Sequence, residues 1–228
     1  MDHSAAPPIR DAATLIVLRR TLPEPAVLMG QRGAGAAFMP AKFVFPGGRV
    51  DAEDQGVALA APLPGPCAAK LERDAPPGRA STFAAAAIRE LWEETGLILG
   101  QPGAAPQAAR EAAPGWQSFF ATGHAPAADA MRFVFRAITP PGRPRRFDAR
   151  FFLVDAAAIR GDPDDFSRAD DELSHISWVP LAEARALDLP FITEIVLSEI
   201  EARLRAPGIA RAVPFFDNRG PRSRFHML

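Results

Sequence analysis

Three acidic residues within five consecutive positions constrain this chain more than any other feature. Residues 89–97 read Arg-Glu-Leu-Trp-Glu-Glu-Thr-Gly-Leu, which places carboxylates at Glu90, Glu93 and Glu94. At about 100° per residue, the three acids share an arc of roughly 100° on one helix. We therefore expect a helix whose acidic face points away from the core. A cation would suit such a face.

The predicted helix spans about residues 82–95. Ser81 and Thr82 precede an alanine-rich stretch as candidate N-terminal caps, and Gly96 stands where a left-handed C-terminal cap is expected. The opposite face is predicted to pack and carries Ala84, Ile88, Leu91 and Thr95. Like charges at this spacing cost only about 0.2–0.5 kcal/mol per pair, so a solvated acidic face is the alternative interpretation.

A glycine pair lies upstream of this helix. Residues 43–51 read Phe-Val-Phe-Pro-Gly-Gly-Arg-Val-Asp, a pattern that predicts a short strand running into a turn at Gly47 and Gly48. Because glycine has no side chain, the backbone amides of such a turn can approach a ligand closely. A glycine pair alone would be weak evidence for a site.

Together the two segments resemble the signature of the Nudix hydrolases. Residues 89–97 match its second half at every fixed position, and Gly48 corresponds to the opening glycine. The acid expected six residues later is Asp54, where the family usually has glutamate, and Glu53 lies beside it. The spacer departs from the pattern, because residues 55–88 supply 34 residues where the motif has seven.

The resemblance implies a role for each of these residues. Glu90 and Glu94 would be the principal ligands of Mg²⁺ or Mn²⁺, and Glu93 would be either a third ligand or the general base. Arg89 would orient the glutamates through an ion pair with an acid of the loop, for which Asp54 is our candidate. The backbone at Gly47 and Gly48 would lie against the metal and the phosphates, and Arg32 would contact the substrate. These expectations fit the preference of both cations for oxygen ligands.

One branch of the family, the peroxisomal coenzyme A diphosphatases, carries a long insertion at the position of the spacer. Residues 38–40 and 145–152 also resemble that branch. The implied substrate is coenzyme A or an acyl-coenzyme A. A different coenzyme A subgroup has a second arginine where Phe38 stands, so the chemistry is better indicated than the substrate.

Other charged residues offer weaker signals. Asp170, Asp171 and Glu172 precede a predicted strand, and Glu172 is a candidate for a further ligand or base, although a loop acid is more often solvated. Arg143, Arg145 and Arg146 cluster at a predicted turn and could reach a phosphate, but exposed arginines are usually solvated as well.

The composition argues against several classes of binding partner and several kinds of site. The 228 residues carry 26 basic and 27 acidic side chains, so no broad field attracts nucleic acid or a membrane. Cys67 is the only cysteine, which excludes an internal disulfide and a cysteine-based zinc site. No segment is long and apolar enough for a membrane span. The single cysteine fits a reducing compartment, so we expect a cytoplasmic protein. His226-Met227-Leu228 is not a peroxisomal address of the Ser-Lys-Leu kind, which argues against a peroxisomal location.

The pattern of elements predicts the fold class. Residues 12–18, 26–31, 131–138, 147–154 and 176–179 read as strands, and residues 181 onward and 191–204 as helices. This order predicts an α/β layered protein with a mixed β-sheet, compatible with the α/β/α sandwich that the Nudix resemblance implies. We expect a single domain over residues 1–228, with an insertion at about 55–80 and a tail at about 207–228. The insertion would project from the rim of the site, as a lid or as a tolerated excursion. The tail would wrap a surface or a neighbouring subunit, or be disordered.

The favoured function is metal-dependent hydrolysis of the diphosphate linkage in a nucleoside diphosphate derivative. ADP-ribose, dinucleotides and nucleotide sugars remain alternatives to coenzyme A as the small-molecule substrate. A non-catalytic nucleotide-binding regulatory module is less favoured, since such a protein would be expected to lose motif glutamates and this chain keeps all three. The oligomeric state stays open, a homodimer included.

Overall fold

The computed structural model describes residues 7–20, 24–103, 113–209, 211–220 and 222–228. Its centre is a mixed sheet of nine strands, namely β1 (Ile9–Arg19), β2 (Ala26–Arg32), β3 (Phe43–Val44), β4 (Gly47–Arg49), β7 (Arg132–Ile138), β8 (Arg146–Asp155), β9 (Leu173–Pro180), β10 (Pro214–Asp217) and β11 (Arg224–Met227). Their order in the sheet is β11-β10-β7-β8-β1-β2-β3, with β4 paired to β1 and β9 paired to β2. A separate ribbon pairs β5 (Gly100–Pro102) with β6 (His124–Pro126).

Helices cover both faces of the sheet. They are α1 (Gly65–Leu71), α2 (Arg79–Thr95), α3 (Gln117–Phe120), α4 (Leu181–Ala184) and α5 (Phe191–Arg205). Alternate residues of β1 point to opposite layers, because successive side chains in a strand leave opposite faces. Leu15 and Val17 join the cluster that contains Phe83 of α2, and Ile16 and Leu18 join the cluster around Val196 of α5. The predicted α/β/α arrangement with a mixed sheet is confirmed.

The long helix α2 starts earlier than predicted. Its N-terminal cap is Gly78, at φ 80°, and not Ser81 or Thr82. The Ser81 hydroxyl instead donates to the Gly78 carbonyl within the first turn, while Thr82 is buried. The predicted end is confirmed, because Gly96 adopts φ 74° and its N–H donates to the Trp92 carbonyl at 2.8 Å.

Residues 55–80 contribute to the core instead of simply projecting from the rim. Val57, Leu63 and Leu71 are buried in the same apolar cluster as Phe83. The expectation of a projecting segment is therefore wrong for these residues, since apolar side chains at this spacing gain from covering the sheet. The segment also contains the short helix α1.

The C-terminal segment is ordered into the sheet. Strand β10 pairs in parallel with β7 and antiparallel with β11, so the described part of the predicted tail forms the sheet edge. Phe215 and Val213 are buried there. Patterning missed this because prolines and arginines separate two strands of only four residues.

A network of ion pairs crosses the α2 face of the sheet. Asp11 of β1 accepts from Arg79 at 2.7 Å and from Arg150 at 2.6 Å, and Asp148 contacts Arg136 at 2.7 Å and Arg150 at 3.3 Å. Three of these side chains are buried, namely Arg136, Asp148 and Arg150. Within the described ranges, no helix combines the length and the hydropathy that a bilayer span requires.

Candidate active site

Two of the three motif carboxylates are buried beneath the glycine pair. Glu90 is 8% exposed and Glu94 is 1% exposed, so the expectation that the acids face away from the core is wrong for both. The physical reason is that β4 packs across this side of α2. A Cβ atom added to Gly48 would lie 2.5 Å from Glu90 Oε2, and the Gly47 N–H donates to Glu94 Oε2 at 2.8 Å. Gly47 and Gly48 lie in this strand and not in the predicted turn.

The buried Arg89 guanidinium links the loop acid to the other carboxylates. Its Nε donates to Asp54 Oδ1 at 2.9 Å and its Nη2 to Asp54 Oδ2 at 3.1 Å. Its Nη1 lies 2.8 Å from Glu93 Oε2 and 2.9 Å from Glu90 Oε1. The planar, five-donor guanidinium suits such a shared arrangement. The candidate pair Arg89–Asp54 is therefore in contact, across 35 positions of sequence.

The sequence did not predict the contacts that hold Glu53 and Asp54 in place. Trp116 donates from Nε1 to Asp54 Oδ1 at 3.0 Å, and the Gly115 N–H donates to Glu53 Oε2 at 2.7 Å. Trp116 is buried together with Phe119 and Phe120. Nothing in the spacing of Trp116 indicates its partner, because 62 positions separate it from Asp54.

Burial raises the pKa values of the three motif acids. Burial raises the pKa of Glu90 to about 7, against the lowering effect of Arg89 and with a further rise from Glu93. Burial also raises the pKa of Glu94 well above its usual value, and the charges of Glu90 and Glu172 add to the rise. Glu93 shifts in the same direction, again mainly through burial. Buried carboxylates that raise one another's pKa gain from a nearby cation.

The predicted extra acid, Glu172, lies beside the predicted substrate contact, Arg32. Arg32 Nη2 contacts Glu172 Oε1 at 2.8 Å, although 140 positions separate the two residues. Glu172 itself is half exposed. Its backbone N–H donates to Asp170 Oδ1, and the Asp170 N–H donates to the Glu93 carbonyl at 2.9 Å. The loop that contains Asp170, Asp171 and Glu172, which we call the acidic loop, therefore packs on the last turn of α2. This position brings Glu172 close enough to raise the pKa values of Glu90 and Glu94.

The glutamates of this site offer oxygen atoms, which are the ligands that a hard divalent cation prefers. Glu90, Glu94 and Glu172 supply carboxylate oxygens, and Glu94 Oε1 is buried with no hydrogen-bond partner. Oxygen ligands of this type suit Mg²⁺ or Mn²⁺. Among the residues that the structure describes, no three histidine, cysteine, aspartate or glutamate side chains are already gathered to hold a metal. A cation would therefore require side-chain movement, for example of Glu93 or Glu90 away from Arg89.

A cavity of about 610 Å³ opens on Glu93, the most exposed of the three acids. Four arginines and four acids are among its lining residues, namely Arg10, Arg49, Arg79, Arg89, Asp11, Asp51, Glu53 and Glu93. Its charges balance, and its volume is in the range of small-molecule sites. Glu90, Glu94, Arg32 and Glu172 do not line it.

Comparisons with known proteins point to one family. No protein-family model matches the chain, which is consistent with the interrupted motif. The chain is 29% identical over 178 residues to nudix hydrolase 7 of Caenorhabditis elegans, covering 75% of this chain and 51% of that protein. It is 28% identical over 209 residues to an acyl-coenzyme A diphosphatase of Gallus gallus, covering 69% of this chain and 54% of that protein. The chain spans about half the length of these curated relatives.

A solved structure supports the same assignment. The Nudix hydrolase from Alicyclobacillus acidocaldarius superposes with a TM-score of 0.62 at 28% sequence identity, over 85% of this chain and 91% of that one. The motif of residues 89–97, the glycine strand that covers it and these similarities together support the Nudix hydrolase family, which the chain resembles in sequence and in fold.

Proposed function

We propose that the chain hydrolyses the diphosphate linkage of a nucleoside diphosphate derivative, with the help of Mg²⁺ or Mn²⁺. One observation carries the proposal. Glu90 and Glu94 are buried side by side under Gly48 and Gly47, and Glu94 Oε1 is unpartnered, while Glu93, the residue before Glu94, opens on a cavity. Carboxylates in such surroundings are costly unless a cation or a proton offsets their charge.

The cation would be held mainly by Glu90 and Glu94, with Glu93 or Glu172 as a further ligand. When bound, it would offset the negative charge of the phosphoryl oxygens during attack by water. The absence of cysteine or histidine ligands in this cluster favours Mg²⁺ or Mn²⁺ over zinc. Burial supports the assignment, since it raises the pKa of both principal ligands.

Glu93 is the proposed general base. It would take a proton from a water molecule whose oxygen forms a bond to one phosphorus, while the bond from that phosphorus to the bridging oxygen breaks. The leaving phosphate keeps the electron pair of that bond. Partial exposure at the cavity and the raised pKa support this role, because a base works best with a pKa near the working pH.

Replacing Glu93 with Gln tests the base directly. The amide keeps the size of the side chain but cannot accept the proton, so turnover should fall by about a hundredfold or more, with little change in melting temperature. Steady-state kinetics would measure the loss. Glu194→Gln, an exposed glutamate on α5, is the matched control and should leave the rate unchanged. An unchanged rate in Glu93→Gln would exclude the role.

Arg89 is a proposed positioning residue. Its contacts with Asp54, Glu90 and Glu93 support a role in fixing the carboxylates instead of contacting substrate. The backbone of Gly47 and Gly48 would border the phosphates, as the family pattern implies. Arg32 is the proposed substrate contact, and binding would then compete with its ion pair to Glu172.

Coenzyme A or an acyl-coenzyme A is the favoured substrate. Hydrolysis would yield 3′,5′-ADP and 4′-phosphopantetheine or its acylated form. The name of the Gallus gallus relative supports this choice, although at 28% identity. ADP-ribose, dinucleotides and nucleotide sugars contain the same linkage and remain the alternatives.

A small panel of substrates tests the proposal. Coenzyme A, an acyl-coenzyme A, ADP-ribose and NADH would each be incubated with the full chain, with and without Mg²⁺ or Mn²⁺, and the products separated by chromatography. Cation-dependent release of 3′,5′-ADP from coenzyme A is the expected result. Cleavage of ADP-ribose alone would exclude coenzyme A as the substrate but would still support hydrolysis of a diphosphate linkage. Nucleotide binding without any hydrolysis would support the regulatory module instead.

A further inference from the structure

A second cavity, of about 350 Å³, lies at the turn between β10 and β11. It is lined by Asp217, Arg219, Gly220, Arg222 and Arg224, and we call it the arginine pocket. It holds three guanidinium groups against one carboxylate, in a chain whose formal net charge is −1. The excess of positive charge is therefore local to this turn.

The carboxylate in the arginine pocket is already engaged. Arg219 Nε donates to Asp217 Oδ1 at 3.0 Å and Arg219 Nη2 to Asp217 Oδ2 at 2.8 Å, which fixes the orientation of that guanidinium. Arg219 Nη2 also contacts Asp74 at 3.3 Å. Within the described part of the chain, Arg222 and Arg224 form no ion pair and donate no side-chain hydrogen bond. Arg222 and Arg224 thus line the cavity without a compensating acid.

A buried side chain, that of Asn218, anchors the start of the turn that carries these arginines. Asn218 is 1% exposed, its Nδ2 donates to the Ile138 carbonyl at 2.7 Å, and its Oδ1 accepts from the Ser223 hydroxyl. The Asn218 carbonyl accepts from Arg146 Nη2 at 2.7 Å. Arg146, one of the three arginines considered for phosphate contact, therefore has a structural role.

The neighbouring turn adds to the positive charge. Arg143 and Arg145 are exposed on the connection between β7 and β8, which the Asn218 contacts join to the arginine pocket. Exposed arginines in isolation are usually solvated. Arg219, Arg222 and Arg224 line one cavity, where the mutual repulsion of their charges is unfavourable unless an anion offsets it.

We propose that the arginine pocket binds the phosphate group of a small phosphorylated molecule. A phosphate monoester carries a charge of about −1.5 to −2 at neutral pH, which would offset the positive charges of Arg222 and Arg224. Guanidinium groups bind phosphate oxygens in a bidentate manner, and the volume suits a small ligand. Strands β7 and β8 separate β10 from β1, so the pocket lies about 14 Å or more across the sheet from the glutamate cluster. It is a second site and does not depend on the proposed hydrolysis.

Calorimetric titration of the full chain without divalent cation tests the proposal. Glycerol 3-phosphate and inorganic phosphate are the two titrants, and glycerol is the uncharged counterpart. The double variant Arg222→Gln/Arg224→Gln removes both uncompensated charges, and its fold is checked by its melting temperature, with the single variant Arg222→Gln in reserve. Arg205→Gln, an exposed arginine at the end of α5, is the matched control.

The expected result is one site for a phosphate titrant in the wild-type chain and in Arg205→Gln, with no binding of glycerol. The double variant should bind at least about tenfold more weakly, because two charge-assisted contacts are lost. Tighter binding of glycerol 3-phosphate than of inorganic phosphate would identify a phosphorylated molecule as the ligand, and the reverse would identify free phosphate. In NMR spectra the amide signals of Gly220 and Ser223 should shift on binding.

Two results would overturn the proposal. One is a dissociation constant weaker than about 10 mM for both titrants in the wild-type chain. The other is binding that the double variant retains, or that Arg205→Gln weakens equally, with amide shifts at Gly47 and Gly48 instead of Gly220. The second result would assign the phosphate to the glutamate region or to unspecific charge.

Discussion

Gly47 and Gly48 are adjacent residues of β4 whose missing side chains make room for different neighbours. A Cβ atom at Gly48 would lie 2.5 Å from the Glu90 carboxylate, whereas one at Gly47 would lie 2.6 Å from the Thr14 Cα atom and 2.7 Å from the Ala13 carbonyl oxygen. A carboxylate can move aside, but the backbone of the central strand cannot do so cheaply. At the residue scale, therefore, one glycine shapes the site and the other allows the strands to pack.

Alanine at these two positions should have different effects. Gly48→Ala is expected to weaken Mn²⁺ binding and turnover by about tenfold or more with a small loss of stability, because Glu90 must leave its place beside Arg89. Gly47→Ala should cost about 1–3 kcal/mol of unfolding free energy through overpacking against backbone. Calorimetry and thermal melts measure both effects. Gly56→Ala, with open space around its Cβ position, is the control. Equal losses of stability in the Gly47 and Gly48 variants would contradict this division.

At the scale of elements, α2 and the acidic loop depend on each other at Gly96. Gly96 has φ 74°, and a Cβ atom there would lie 2.9 Å from Arg168 Cβ in the loop. Gly78, at the other end of α2, has φ 80° but open space around it. The two glycines therefore share a left-handed backbone and differ in packing.

This difference predicts the result of two matched substitutions. Gly78→Ala should cost about 1–2 kcal/mol of unfolding free energy, the cost of a left-handed residue with a Cβ atom. Gly96→Ala should cost more and also lower turnover, because it pushes the loop that carries Glu172 away from the helix. Denaturant titrations and steady-state rates give both quantities. Similar rates in the two variants would show that the position of the loop does not matter for turnover.

The ion pairs of Asp11 join three elements, β1, β8 and α2. Burial would raise the pKa of Asp11, but the charges and hydrogen bonds of Arg150 and Arg79 outweigh it, so the pKa lies below its ordinary value of 3.8. A carboxylate with a lowered pKa stabilises the fold above its unfolded pKa and loses this contribution as pH falls through the folded pKa.

Asp11→Asn should therefore lower the unfolding free energy by about 1 kcal/mol at neutral pH, a value reduced by the partial exposure of the side chain. The difference between wild type and variant should shrink as pH falls from about 4 toward 2. Urea denaturation at several pH values measures it. A difference that stays constant over this range would mean that the charge of Asp11 is not what stabilises the fold.

At the scale of the whole molecule, the C-terminal hairpin is part of the folded sheet. Phe215 on β10 is 1% exposed and lies beneath Arg136, whereas Phe225 on β11 is 58% exposed at the edge. Phe215→Ala is expected to cost about 3–5 kcal/mol of unfolding free energy, and Phe225→Ala less than about 1 kcal/mol. Chemical denaturation compares the two variants. A small loss for Phe215→Ala would support the tail interpretation of this segment.

Local patterning was sufficient for the strands and helices that carry regular apolar periodicity. Strands β1, β2, β7 and β8, the end of α2 at Gly96 and the helix α5 follow from the order of apolar residues and from cap chemistry. Patterning failed for the start of α2 and for the strands β10 and β11. These elements are either short or stabilised by contacts with distant parts of the chain, which a local window does not contain.

The sequence by itself determined the resemblance to the Nudix hydrolases and the identity of the motif acids, because residues 89–97 keep an order of side chains that a helix turns into one cluster. Only the tertiary structure decided that Glu90 and Glu94 are buried, that Trp116 holds Asp54, and that Glu172 meets Arg32. The reason is physical: burial and partner choice depend on which backbone covers a side chain. Here that backbone is a strand of two glycines and a loop, separated from their partners by tens of residues or more.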